Sequence, residues 1–145
     1  MGQERTWLNC LDATRTGDIT TSGLVWSYPL QKHVLATPAI YNGLVFIADC
    51  GKTIHCVDAA TGRACWTHEM QGEIWASPLV ADGKVFIGTR RGEFVILTAS
   101  REKKLLATID MGAPISSTPV AANGVLYVAT MNRLFAIQKA PAAAR

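Results

Sequence analysis

The chain has 145 residues, of which 49% are hydrophobic and 17% charged, with a formal net charge of +3. That length supports one modest domain with a core of its own, and the apolar fraction excludes a disordered chain. No stretch approaches the roughly 20 apolar residues of a bilayer-spanning helix, and the positive charge is too dispersed for a nucleic-acid binder.

In chain order, the start Met1-Gly2-Gln3-Glu4-Arg5 lacks the apolar core of a signal peptide, so the chain as written is expected to stay in the cytoplasm. Cys10-Leu11-Asp12-Ala13, Thr16-Gly17 and Trp26 then form a signature that returns as Cys56-Val57-Asp58-Ala59, Thr61-Gly62 and Trp66. Thr37-Pro38-Ala39 opens a unit that recurs at Ser77-Pro78-Leu79 and Thr118-Pro119-Val120, at spacings of 40 and 41 residues. Gly43, Gly83 and Gly124 keep the same period, as do Phe46, Phe86 and Tyr127. Leu106 takes the third Trp slot. A fixed period of this size signals stacked supersecondary units.

Within each unit the punctuation calls for short strands. Asn42-Gly43, Asp82-Gly83 and Asn123-Gly124 are the dipeptides that a two-residue type I′ hairpin needs for positive φ. The segments after them are β-branched or aromatic and apolar on both faces, so they must be covered on both sides. A helical reading fails, because no window holds a 3.6-residue period.

The elements sort into a trailing half unit over residues 1–30, which opens on the last two strands of a unit. A full unit follows over 31–71, with strands at 36–41, 44–49, 53–58 and 64–69. A second covers 72–111, with strands at 76–81, 84–89, 93–98 and 105–110. An incomplete unit over 112–139 has strands at 117–122, 125–130 and 133–138, and residues 140–145 read as a flexible tail. The fold class is all-β: a partial β-propeller of about three four-stranded antiparallel blades, with ~13 strands, not closed as a single chain.

Ala36-Thr37-Pro38-Ala39, then Asn42-Gly43-Leu44-Val45-Phe46, then the run from Val57 through Asp58, Thr61 and Gly62 to Trp66 carry a recognisable pattern. It resembles the propeller repeats of the quinoprotein (PQQ-like) superfamily, closest to the non-enzymatic BamB-like members. The likeness covers residues 7–139 and departs at Thr98-Ala99-Ser100-Arg101, which replaces the Asp-Ala-Thr-Gly turn, and at Leu106. The resemblance implies that Trp26 and Trp66 dock between blades against the turn of the adjacent repeat, each indole burying on the order of 200 Å². Asp12, Asp58, Thr61 and Gly62 are turn formers. Family propellers close by pairing an N-terminal strand with the last blade, which accounts for the strand missing here. The resemblance further implies the C-terminal part of a longer, exported or periplasmic propeller. In isolation its open edges are expected to complete a ring with further copies or to aggregate.

Strand direction places His33, Glu73, Trp75 and Ile115, near the starts of first strands, on the same rim as Lys52, Arg90, Arg91 and Arg133, near the turns between second and third strands. That rim is the candidate partner-binding face. The three histidines, His33, His55 and His68, match no metal motif. Asp49, His55 and Asp58 read as surface polar residues, with convergence of the three in the fold as the open alternative, and Glu69 with Glu73 as ordinary acids. No catalytic, cofactor-binding or metal-binding residue is assigned. Cys10, Cys50, Cys56 and Cys65 read as free buried thiols, with a Cys56–Cys65 bridge as the open alternative.

Two functions follow. The first is a non-catalytic interaction or assembly scaffold, with no cofactor, holding a protein or peptide partner by strand addition or receiving the missing blades. The alternative is a fragment of a PQQ-dependent dehydrogenase, which binds the quinone with calcium. Against it, the adjacent Cys-Cys pair of many such enzymes is missing, and no calcium-binding set of Glu, Asn and Asp with a catalytic Asp is found. Neither nucleic acid nor membrane insertion enters either reading.

Overall fold

The computed structural model describes residues 6–139; the tail expected over 140–145 lies outside the described residues. Among the described residues there are thirteen strands in four antiparallel sheets and no helix, so none is long and apolar enough to cross a membrane. A half-blade pairs β1 (Thr6–Leu11) with β2 (Leu24–Leu30). Blade one follows in sequence order as β3 (Ala39–Tyr41), β4 (Leu44–Ala48), β5 (Thr53–Asp58) and β6 (Ala64–Glu69). Blade two repeats it with β7 (Leu79–Ala81), β8 (Lys84–Gly88), β9 (Glu93–Thr98) and β10 (Leu105–Asp110). The last blade holds β11 (Val120–Ala122), β12 (Val125–Ala129) and β13 (Leu134–Gln138). The result is an open arc of a β-propeller.

Local chemistry explains the hairpins. Asn42 and Gly43 have φ of 47° and 72°, Asp82 and Gly83 49° and 65°, and Asn123 and Gly124 51° and 77°. Two successive positive φ values match the right-handed twist of the flanking strands, and Asn, Asp and Gly adopt them at least cost.

The first strand of each blade is shorter than the sequence suggests, three residues rather than six. Each begins immediately after a proline: Pro38, Pro78 or Pro119. Proline has no N–H to give a ladder. Thr37, just before it, donates its amide to the Ser77 hydroxyl at 2.8 Å, tying blade one to blade two instead of extending β3.

The core lies between blades. Alternate residues of β8 and β9 point to opposite sides, as the two-residue period of a strand requires. Val85, Ile87, Val95 and Leu97 join Phe46, Ile54, Cys56 and Trp66 of blade one in the larger cluster. Phe86, Phe94 and Ile96 turn the other way, onto Ile115, Val128 and Phe135 near the last blade. The inner strands of blade one, β4 and β5, are consequently buried at every position. At the two ends of the arc, Trp7, Leu11, Leu24 and Val25 on one side and Val120, Leu134 and Ile137 on the other remain exposed.

The register corrects one assignment. Trp26 faces Cys10, Trp66 faces Cys56, and the matching residue opposite Ile96 in blade two is Ala107, not Leu106. The connection from β9 to β10 is one residue longer than that from β5 to β6, which shifts the slot. Leu106 falls instead where the pairing slips between Leu105 and Ala107.

Candidate functional site

Two sets of side chains stand out: the seams between blades and the rim built from the turns.

At the seams, Trp26 donates its indole N–H to the Ala59 carbonyl and Trp66 donates to the Ser100 carbonyl, both at 2.9 Å. The turn that receives Trp26 is ordered by Asp58, whose Oδ1 accepts from the amides of Ala60 and Thr61 and from the Thr61 hydroxyl. Gly62 completes it with φ +71°, and a Cβ there would lie 2.7 Å from the Trp26 ring. Only glycine satisfies both the left-handed backbone and the close approach. Asp12 performs the same role in the half-blade, but its partner is Thr14, not Thr16.

The turn that departs from the repeat pattern adds something of its own. Arg101 reaches back from blade two to pair with Asp58 of blade one, while its neighbour Ser100 receives Trp66. The hydrogen bond from Arg101, followed by those from Thr61, holds the Asp58 carboxyl at about 2, below its ordinary 3.8. A carboxylate depressed in the folded state stabilises fully above its ordinary value, and that stabilisation is lost as pH falls through the folded value. The gap in melting temperature between the wild type and Asp58→Asn is therefore expected to be constant near neutrality and to close between about pH 4 and pH 2. A gap unchanged by acid would show that the pair contributes nothing.

The rim forms because each turn between the second and third strands is tied to the neighbouring connections. Cys50 donates its amide to the His33 carbonyl, Arg90 to that of Glu73 and Met131 to that of Pro114, at 2.8–2.9 Å. Met70 and Met111 donate in the same way to Lys52 and Gly92. His33 is exposed at the first of these turns, and Arg133 at the last. Lys52, Glu73, Arg90 and Arg91 come together around a shallow groove of about 310 Å³. Beside it the Arg90 guanidinium lies 4.3 Å from the centre of the Trp75 ring and donates to the Ser116 hydroxyl at 2.6 Å. Trp75 is nevertheless 41% exposed.

Ile115 does not belong to the rim face. It is fully buried against Gly88, where a Cβ would sit 2.4 Å from its Cγ2. The repeat places Ile115 level with Ile74, also fully buried, so the position matching Trp75 is Ser116. By the same alignment Leu35 is the blade-one counterpart of Trp75, and it is 58% exposed. Sequence reading passed over Leu35, although its spacing of 40 residues from Trp75 marks it.

Asp49 and His55 are not surface residues either. Asp49 is 0% and His55 2% exposed, with Nε2 of His55 3.1 Å from Asp49 Oδ2 and Nδ1 3.0 Å from the Tyr28 hydroxyl. Asp49 also accepts from the amides of Gln31 and Gly51. Burial alone would push its carboxyl up, but His55 and the two amides together bring it below the ordinary value. Asp58 is buried as well, at 9% exposed, but stays apart from this pair, in the turn already described. The four cysteines are all free thiols.

Comparison with known proteins decides the family. The model of the family described as outer membrane protein assembly factor BamB matches residues 12–74 and 50–142. The chain belongs to this family of PQQ-like repeat proteins. Among solved structures, BamB from Moraxella catarrhalis is similar at 25% identity and a TM-score of 0.75, over 91% of this chain and 40% of that one. Quinohemoprotein alcohol dehydrogenase from Comamonas testosteroni is similar at 25% identity and a TM-score of 0.64, over 73% of this chain and 18% of that one. A quinohemoprotein alcohol dehydrogenase from Pseudomonas putida HK5 shares the fold at 22% identity and a TM-score of 0.61, over 68% of this chain and 17% of its own. The BamB-family chain thus spans well under half the length of each. Among curated protein sequences none matches it.

Proposed function

We propose that this BamB-family arc is a non-catalytic scaffold that holds an extended protein or peptide segment across the rim at Trp75 and Arg90. The stacked Arg90–Trp75 pair carries the reading: an exposed aromatic under a guanidinium, beside a groove lined by Lys52, Glu73 and Arg91. Trp and Arg are the residues that most often dominate binding energy at protein interfaces, and a cation over an indole face is already ordered for contact. The parent protein acts outside the cytoplasm, and its missing blades or further copies of the chain cover the ends of the arc.

The second reading, a fragment of a quinone-dependent dehydrogenase, draws on the shared fold of the alcohol dehydrogenases. A peptide library displayed on phage, selected against the wild-type chain, tests the first directly. Enriched peptides are expected to lose about ten-fold in affinity or more on a folded Trp75→Ala, Arg90→Ala variant. Peptides that bind the variant equally well overturn the site. Titration with the quinone and calcium is expected to leave tryptophan fluorescence unsaturated; saturable quenching would favour the dehydrogenase.

A further inference from the structure

Strand pairing in blade one brings two thiols together at a bulge. Cys56 of β5 faces Trp66 of β6, and the register then slips so that Val57 pairs with Ala64, leaving Cys65 as the extra residue. In such a bulge two successive residues oppose one on the partner strand. Cys65 and Trp66 therefore both stand opposite Cys56. Cys56 is fully buried, while Cys65 is half-buried and packs on the same apolar cluster. Cys65 is a near enough neighbour to add to the upward push on the Cys56 thiol.

The rest of the repeat lacks this pair. The same slip occurs in the half-blade and in blade two, but the bulged residue is Val25 in one and Leu106 in the other. Cys10, which faces Trp26 as Cys56 faces Trp66, thus meets a valine at the bulge. Blade one alone places cysteine at both positions.

The surroundings of the pair are specific. Cys56 Sγ lies 3.9 Å from the Ser100 carbonyl, the acceptor that Trp66 also uses. Arg101 Nη1 lies 3.9 Å from Cys65 Sγ, and the Arg101 side chain, paired with Asp58 through Nη2, is 63% exposed, so a cation lies beside the more accessible thiol. Burial, with Cys65 adding to it, pushes the Cys56 thiol up to about 12.

We propose that Cys56 and Cys65 form a redox-active dithiol site that exchanges with anionic low-molecular-weight disulfides, of which glutathione disulfide is the probe, to close a cross-strand disulfide. The more accessible Cys65, as thiolate, attacks one sulfur of the small disulfide and expels the other half as a thiolate. Arg101 receives a carboxylate of the incoming molecule. Cys56 then gives up its proton, attacks the Cys65 sulfur of the mixed disulfide and expels the second small thiolate. Two protein thiols are oxidised to one disulfide, the small disulfide is reduced to two thiols, and the two protons end on the expelled thiolates. Closure takes Cys65 off Arg101 and Cys56 off the Ser100 carbonyl, loosening the seam between blades one and two.

The test is equilibration of the native chain in glutathione buffers of rising disulfide fraction, followed by acid quench, alkylation under denaturing conditions and peptide mass mapping. A linked Cys56–Cys65 peptide pair is expected, with Cys10 and Cys50 alkylated throughout. A Cys56→Ser variant is expected to stop at a glutathione adduct on Cys65. Exchange of an Arg101→Ala variant should slow about five-fold with glutathione disulfide and little with uncharged hydroxyethyl disulfide, since steering acts only on a charged reactant. Full alkylation of Cys56 and Cys65 in the most oxidising buffer would overturn the proposal, as would linkage of either to Cys10 or Cys50. Equal slowing with both disulfides would remove Arg101 from it.

Discussion

Replacing Trp66 by alanine is expected to cost about 3–5 kcal/mol, the range for deleting a large buried aromatic, and to lower the melting temperature by roughly 10–20 °C. The indole is 8% exposed, packs on Phe46 with ring centroids 5.9 Å apart and holds the Ser100 carbonyl. Three losses coincide: the apolar contact, the hydrogen bond and the space the ring filled. Their location matters as much as their size. In a stack of repeats, stability is a sum of unit terms and nearest-neighbour terms, so damage at one seam uncouples the units on either side. Urea unfolding of Trp66→Ala, followed by circular dichroism and by fluorescence of the remaining tryptophans, should therefore separate into two transitions where the wild type shows one. Trp26→Ala, at a half-buried seam, should cost less and leave the later blades untouched. A Trp66→Ala variant that unfolds in one transition within about 1 kcal/mol of the wild type would remove the seam from the account.

How far the sequence could be read depended on whether a signal was local. The third and fourth strands of blades one and two, 53–58, 64–69, 93–98 and 105–110, lie where their patterning put them, because each is a short apolar run between polar turns. The first strands were over-extended because residues 36–38 are extended in pattern while Pro38 denies them a ladder. Leu106 was misplaced for a related reason. One extra residue in the turn before β10 moves the tryptophan slot to Ala107, which only cross-strand pairing reveals. Ile115 and Trp75 both lie near the start of a first strand, but counted from the proline Ile115 is the counterpart of Ile74, and it is buried. The rim needed one more step, since the Arg90–Trp75 stack depends on a turn and a connection meeting across a blade. The buried Asp49–His55 pair was hidden until strand pairing showed both residues inside. Its signal was present nonetheless: Thr89 and Thr130 occupy the place of Asp49, and Val95 and Phe135 that of His55. Two polar departures in one blade, at positions that the fold brings together, were a readable sign of a partnership.

That partnership supplies the second large effect. Asp49→Ala is expected to cost about 3 kcal/mol or more, because removing one member of a buried pair leaves the other uncompensated. His55 Nε2 would lose its acceptor inside the core, and the amides of Gln31 and Gly51 would lose theirs in the same step. Because Gln31 and Tyr28 come from the half-blade side and Asp49 and His55 from blade one, the damage again falls on a seam. The repeat itself supplies the control. Blade two fills the same positions with Thr89 and Val95, and there the Thr89 hydroxyl accepts from the amides of Arg91 and Glu93. The double variant Asp49→Thr, His55→Val imports that solution, and a hydrophobic replacement of a buried pair is often neutral. It is expected to lie within about 1 kcal/mol of the wild type, far from the sum of the single changes. Tyr28 tolerates the loss of His55 because it is only half-buried, so water can reach its hydroxyl. Urea unfolding of the four members of this cycle gives the coupling directly. Additive single effects would mean that Asp49 and His55 act as separate turn and core residues; a coupling of about 2 kcal/mol or more would mean that the two departures from the repeat are one interaction.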